Sequence, residues 1–334
     1  MDYHSVVEAV NEIIKEYDMR LTVRQLYYRL VSPPYQLFAN TRNCYAGFDK
    51  ILTRARENND VDWRKIEDRA RSTLGVICRL VGSKIHVISG MSDFEYCWPS
   101  SDEFLNAMLE ELQNCHKDFT MPMWENQPNY IEVWVEKDAL ASLFSTAARG
   151  YRVVTFPSRG YSSFTKIMEA IEERFMERVK KGQHIIVLHF TDHDPSGLDM
   201  TQDLINRLSE YFKHALVNLA EEDEATFDRI TASHRKSSIF GVYRCALTHD
   251  QVKQFGLASN PTKIADPRSK DYVAEFGDQC WELDALPPDE LQKIILRSII
   301  QFTDLKLWAK RGMEVDAERT KLKEKLARLK ISFE

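Results

Sequence analysis

Two short apolar runs each end on carboxylates. Tyr130–Val135 (YIEVWV) leads directly into Glu136, and Ile185–Phe190 (IIVLHF) leads into Asp192 and Asp194 within TDHDPSG. In an extended segment residues i and i+2 point the same way, so Asp192 and Asp194 share a side and His193 faces the other. Carboxylates gathered at one edge repel unless they are protonated or bridged by a cation. Their hard oxygens suit Mg²⁺, which keeps several waters and binds one or two carboxylates plus substrate phosphate. Such a centre is a Lewis acid and template for phosphoryl transfer. Each feature alone has a plainer use, since an Asp-x-Asp after a strand also serves as a helix cap or a solvated turn. Occurring together in one strand–helix pattern, Glu136, Asp192 and Asp194 point to a metal site.

The elements that must position them follow from periodicity. Arg152–Phe156 is a further strand, and helices fit Ala139–Arg149, about Ser163–Val179 and about Gly197–Phe212. Strand–helix alternation implies right-handed crossovers and a Rossmann-like parallel sheet covered on both faces. In such α/β sheets the site lies at the carboxyl ends of the strands. There the turn Ser158-Arg159-Gly160-Tyr161 could add a phosphate contact through Arg159 or Ser158.

The first third reads as helical. Val6, Val7, Val10, Ile13 and Ile14 recur at helical spacing. Thr22 and Gln25 form a capping-box pattern that predicts a helix over Val23–Val31, ended by Pro33-Pro34. Arg42–Glu57 and Trp63–Leu80 fit two more helices, with a turn at Asn58-Asn59-Asp60 between them. A stretch near 86–128 reads as a connector with a helix about Glu103–Leu112. Asp304–Lys330 reads as a charged helix, either docking a partner or packing on its own domain. The expected divisions are 1–85, 86–128, 129–300 and 301–334.

The chain has 334 residues and a net charge of −6. Between Arg20 and Arg79, however, 12 Lys/Arg face six Asp/Glu, which leaves −12 for the rest. Such a basic segment could meet a polyanion or could be a merely solvated face. Arg20, Arg29, Arg42, Arg54 and Arg56 are its candidate DNA contacts, with Arg159 beyond it. The six cysteines lack a CxxC pair, which argues for reduced thiols over a zinc site or disulfide framework. No apolar run reaches bilayer length and the N-terminus is not signal-like, so a cytoplasmic, nucleoid-associated protein without a membrane span is expected.

Glu136 within VEKDAL, the SRGY turn and TDHDPSG together resemble a Toprim domain, the metal-binding module of topoisomerases, primases and some nucleases. The closer resemblance is to the topoisomerase VI A subunit and its relative, the meiotic double-strand-break transesterase. That family sets a tyrosine-bearing winged helix before the Toprim domain, in a motif similar to Thr22-Val23-Arg24-Gln25-Leu26-Tyr27-Tyr28. Ala246–Gly256 and Trp281–Leu286 (WELDAL) also resemble segments that follow the family's core. The resemblance covers roughly 21–300 and is nearest to the stand-alone Mini-A proteins of phages and mobile elements. The chain departs from the family by Ser162 in place of the usual proline. It contains no GxxxxGK loop, so ATP-driven strand passage would need a separate ATPase subunit.

The resemblance implies that Tyr28 attacks a phosphate of double-stranded DNA, leaving a 5′-phosphotyrosyl bond. Arg24 would assist, and Glu136, Asp192 and Asp194 would hold Mg²⁺. In the family the tyrosine and the metal belong to different subunits, which implies a homodimer. Tyr28 could instead be a core aromatic. One rival expectation is a Toprim-class endonuclease that activates water. Another is a non-catalytic DNA-binding or regulatory protein.

Overall fold

The computed structural model describes residues 2–67, 100–158, 165–234, 238–262 and 268–328, with the backbone of 77–81, 84–88 and 164. Two compact units emerge. One comprises Met1–Ala70 with Pro128–Thr303, the other Arg71–Gln127 with Asp304–Glu334.

The first unit begins with α1 (Tyr3–Glu16), β1 (Leu21–Thr22), α2 (Val23–Val31), α3 (Arg42–Glu57) and β2 (Ile66–Glu67). The capping box forms as the sequence predicts: Gln25 N–H donates to Thr22 Oγ1 at 3.1 Å, and Thr22 N–H donates to Gln25 Oε1 at 2.9 Å. This fixes where α2 starts and hence which way its residues face. Val6, Val10, Ile13, Leu26, Leu30, Phe48 and Leu52 build the core between these helices. Of the helix expected over Trp63–Leu80, residues 68–76 lie outside the described residues, and the described flanks are extended after a short turn at Trp63–Lys65. Ile66–Glu67 instead pairs in parallel with Leu21–Thr22, and Ile77–Val81 (β3) pairs antiparallel with Lys84–Ile88 (β4) in the second unit. The β-branched Ile66, Ile77 and Val81 favour extended backbone, and this local preference outweighs the helical spacing. The second unit continues with α4 (Ser101–Asn114), which covers the helix expected near Glu103–Leu112.

Back in the first unit, β5 (Asn129–Val135), α5 (Ala141–Ala148), β6 (Val154–Pro157), α6 (Phe164–Ala170), α7 (Met176–Lys180), β7 (His184–Phe190), α8 (Pro195–Glu222), α9 (Glu224–Ser233) and β8 (Phe240–Ala246) follow in order. The strands form one parallel sheet in the order β6-β5-β7-β8. β5 and β7 are buried almost throughout, as central strands covered on both faces must be. Glu132 lies fully buried inside β5. Arg174 Nε donates to its Oε1 at 2.6 Å, and Trp134 Nε1 donates to its Oε2 at 3.0 Å. This glutamate is therefore a paired core residue. The fourth strand, β8, was not expected. After it come α10 (His249–Phe255), β9 (Asn260–Pro261), α11 (Ser269–Phe276), β10 (Gln279–Cys280) and α12 (Pro288–Gln301).

The second unit closes with α13 (Leu305–Arg328). Within it the Trp308 ring meets Trp124 edge-on at 5.2 Å, and Arg319 Nε donates to the Phe119 carbonyl at 2.9 Å. Among the described residues no helix is long and apolar enough to cross a membrane.

Candidate active site

The carboxyl ends of β5 and β7 meet. The Glu136 backbone N–H donates to the Phe190 carbonyl at 2.9 Å, extending the ladder one residue past the strands. Its side chain then turns to the other strand's end, where Oε2 accepts the Asp192 N–H at 3.2 Å. Burial raises the Glu136 carboxyl above its usual range and nearby Asp194 adds to this, against the pull of the Asp192 N–H and Lys137.

Asp192 is 8% exposed. Its Oδ1 accepts the Leu283 N–H at 2.7 Å and lies 3.0 Å from Lys137 Nζ. Burial, with Glu136 alongside, pushes its carboxyl up to about 7 in spite of Lys137. Asp194 has a different local role. It is the N-cap of α8, with Oδ1 accepting the Gly197 N–H at 2.6 Å. The Pro195-Ser196-Gly197 turn that follows has a steric reason. A Cβ at Gly197 would stand 2.2 Å from the Asp192 carbonyl oxygen, so only glycine lets α8 start this close to Asp192. His193 points elsewhere. Its Nδ1 lies 2.8 Å from the Tyr272 hydroxyl, among the rings of His249, Phe276 and Trp281.

Four charged residues not singled out in the sequence analysis complete the cluster. Lys137 Nζ lies 3.0 Å from Asp192, 2.9 Å from Glu282 and 2.7 Å from Asp284. Burial alone would lower this amine, but the three carboxylates outweigh it and hold the ammonium well above its usual range. Burial would raise Glu282, yet Lys137 and Arg24 hold it below the usual carboxylate range. Arg244, at the end of β8, donates from Nη2 to the Asp192 carbonyl at 2.7 Å. Burial pushes its guanidinium down to about 10 against the pull of Asp194, Asp192 and Glu136. Its buried Nη1 has no hydrogen-bond partner among the described residues.

Tyr28 and Arg24 project from α2. The two adjacent tyrosines differ in use. The Tyr27 hydroxyl donates to the Thr41 carbonyl at 3.0 Å, and its ring stacks on Phe38. Tyr28 accepts from Asn260 Nδ2 at 2.9 Å. It is 3% exposed, and burial with Glu282 raises its phenol, against Asn260, Lys137 and Arg24. Arg24 Nη1 lies 2.5 Å from Glu282 Oε2, so its main charge partner is that carboxylate.

One cavity of about 900 Å³ is lined by Arg24, Tyr28, Glu136, Asp192, Asp194 and Glu282, together with Arg42, Tyr45, Asn260 and Trp281. The structure thus brings all five predicted metal and catalytic residues to a single space. Of the candidate DNA contacts among the described residues, only Arg42 joins them there. Arg20 is exposed before β1. Arg54 lies over the Tyr3 ring at 5.2 Å, and Arg56 donates to Thr53 Oγ1 at 3.4 Å. Arg29 is half-buried in the last turn of α2. Ser158 donates from both N–H and Oγ to the Val135 carbonyl, and Arg159 lies outside the described residues.

The donor set can be tested against Mg²⁺. Among the described residues no group of three or more His, Cys, Asp or Glu is drawn in tightly enough to enclose an ion. Three carboxylate oxygens on the cavity wall, Glu136 Oε1, Asp192 Oδ2 and Asp194 Oδ2, have no hydrogen-bond or ion-pair partner among those residues. Five acids (Glu136, Asp192, Asp194, Glu282 and Asp284) stand against the three bases Lys137, Arg24 and Arg244. Arg42 on the same cavity wall narrows the excess of acids to one. Hard oxygens, free valences and excess negative charge fit an ion that keeps most of its waters.

The sequence signals for the missed partners were weak. Glu282 and Asp284 repeat the i, i+2 acid spacing of Asp192 and Asp194, but without a preceding apolar run. The chain matches no model of a known protein family, no curated protein and no solved structure.

Proposed function

We propose that this chain is a magnesium-dependent enzyme that cuts and rejoins the backbone of double-stranded DNA by tyrosine transesterification. It would be of the topoisomerase VI A-like type, with a Toprim domain and a winged-helix tyrosine module. The observation that carries this reading is the shared cavity, lined by Tyr28 together with Glu136, Asp192 and Asp194.

In the proposed reaction Tyr28 Oη forms a bond to a DNA phosphorus and the bond to O3′ breaks. The phenolic proton passes to solvent, and O3′ takes up a proton as it departs. Glu136, whose carboxyl burial and Asp194 raise above its usual range, would be the candidate to deliver that proton to O3′. Asn260 orients the phenol through its amide N–H. Arg42, exposed at the start of α3 and on the cavity wall, would bind the phosphate backbone. Mg²⁺ held by Glu136, Asp192 and Asp194 would stabilise charge on the phosphate and the leaving oxygen. Reversal with the same groups rejoins the strand.

One observation favours a second reading, hydrolysis by an activated water. Burial and Glu282 keep the Tyr28 phenol protonated, which weakens it as a nucleophile. Supercoiled plasmid incubated with Mg²⁺, with and without protease before electrophoresis, separates the two. Cut DNA released only after protease, and no cutting by Tyr28→Phe, supports transesterification. Full magnesium-dependent cutting by Tyr28→Phe leaves hydrolysis. Undiminished cutting by Asp194→Ala removes the metal site from the account.

A further inference from the structure

Resting on the metal-site part of that reading, we infer that Lys137 is a built-in cation standing where a second divalent ion would otherwise sit. It ties Asp192 to Glu282 and Asp284, so the centre takes one exchangeable ion and not the pair that many phosphoryl-transfer sites use. Lys137 is thus a positioning residue.

Three stretches of chain meet at one ammonium. Lys137 follows β5, Asp192 follows β7, and Glu282 and Asp284 follow β10. Nζ lies 3.0 Å from Asp192 Oδ1, 2.9 Å from Glu282 Oε2 and 2.7 Å from Asp284 Oδ2. An ammonium has three donors, and here three carboxylates take them. The corner is also enclosed, with the side chains of Lys137, Asp192 and Asp284 only 18%, 11% and 2% exposed. Mg²⁺ gives up its waters reluctantly and fits such a place poorly, whereas an ammonium with three carboxylate partners is already satisfied.

The backbone brings the same acids together. Trp281 and His193 exchange hydrogen bonds at 2.8 and 2.9 Å, and the Leu283 N–H donates to Asp192 Oδ1 at 2.7 Å. Held this close, Asp192, Glu282 and Asp284 would repel without a cation between them. Lys137 supplies that cation permanently and takes up only Oδ1 of Asp192. Oδ2 stays turned to the exchangeable ion whether or not that ion is bound.

Removing the lysine should convert the corner into an ion site, because its four-carbon stem vacates room for the ion's waters. Titration of the metal-free protein with Mn²⁺, followed by electron paramagnetic resonance, counts the ions bound. Lys137→Ala should hold one ion more than wild type, and Lys137→Ala/Asp284→Asn should lose it. Equal counts in wild type and Lys137→Ala would overturn the inference, as would an extra ion that survives Asp284→Asn. The wild-type count tests the metal reading separately: none in wild type with one in Lys137→Ala ends that reading and leaves the inference standing. A Lys137→Ala chain that is unfolded in chelator should fold when Mn²⁺ is added, read by circular dichroism. A chain that stays unfolded with the ion would overturn the inference.

Discussion

Glu136, Asp192 and Asp194 line one cavity, yet each is held differently, and the differences govern what each can do. Asp192 is enclosed and tied to Lys137 and the Leu283 N–H. Asp194 caps α8, and Glu136 accepts a single N–H. Each keeps one oxygen for a ligand because the chain occupies only the other. Gly197 makes this spacing possible. A Gly197→Ala substitution should cost about 3 kcal/mol through the clash with the Asp192 carbonyl, read as a lowered midpoint in thermal or urea unfolding. A midpoint equal to wild type would show that the turn relaxes freely and that the carboxylates are not rigidly set.

At the scale of elements, the sheet is held by buried groups that keep charge out of its core or pair it there. Glu132 depends on Arg174 for compensation. Arg174→Met should therefore destabilise by about 3 kcal/mol, and adding Glu132→Gln should recover much of that loss. Equal instability of the double variant would mean that Arg174 acts through packing alone. His189 on β7 is buried against Thr201, and burial pushes its imidazole down to about 3. The unfolded chain then binds a proton, from about pH 6.5 downward, that the folded chain refuses. Stability from His189 is present above that pH and is lost as pH falls toward 3. In His189→Gln the acid side of the stability profile should be shallower by about 1 kcal/mol per pH unit, and parallel profiles would contradict this.

The same elements show what was legible in the sequence. The start of α2 could be placed because Thr22 and Gln25 act locally. β5 and β7 could be placed because strands buried on both faces read as apolar runs. β8 was missed because Gly241 and Arg244 break its run and it lies at the sheet edge, half-buried. Lys137, Glu282 and Asp284 were missed because a lysine and two acids more than a hundred residues apart look like solvated surface until the fold joins them.

On the scale of the whole molecule, one compact unit gathers the helical start of the chain and the parallel sheet. The candidate nucleophile and the candidate metal ligands come from the two separate stretches of sequence that make up that unit. Two arginines of the basic stretch early in the chain, Arg24 and Arg42, thereby line the same cavity as the acidic residues. The most direct test is to quench a reaction of the protein with duplex DNA and Mg²⁺ in denaturant, digest with protease and nuclease, and analyse the peptides by mass spectrometry. The account predicts a nucleotide mass on the peptide containing Tyr28, absent without Mg²⁺ and absent in Asp194→Ala. Cut DNA bearing free 5′-phosphates, with every Tyr28 peptide unmodified, would contradict it.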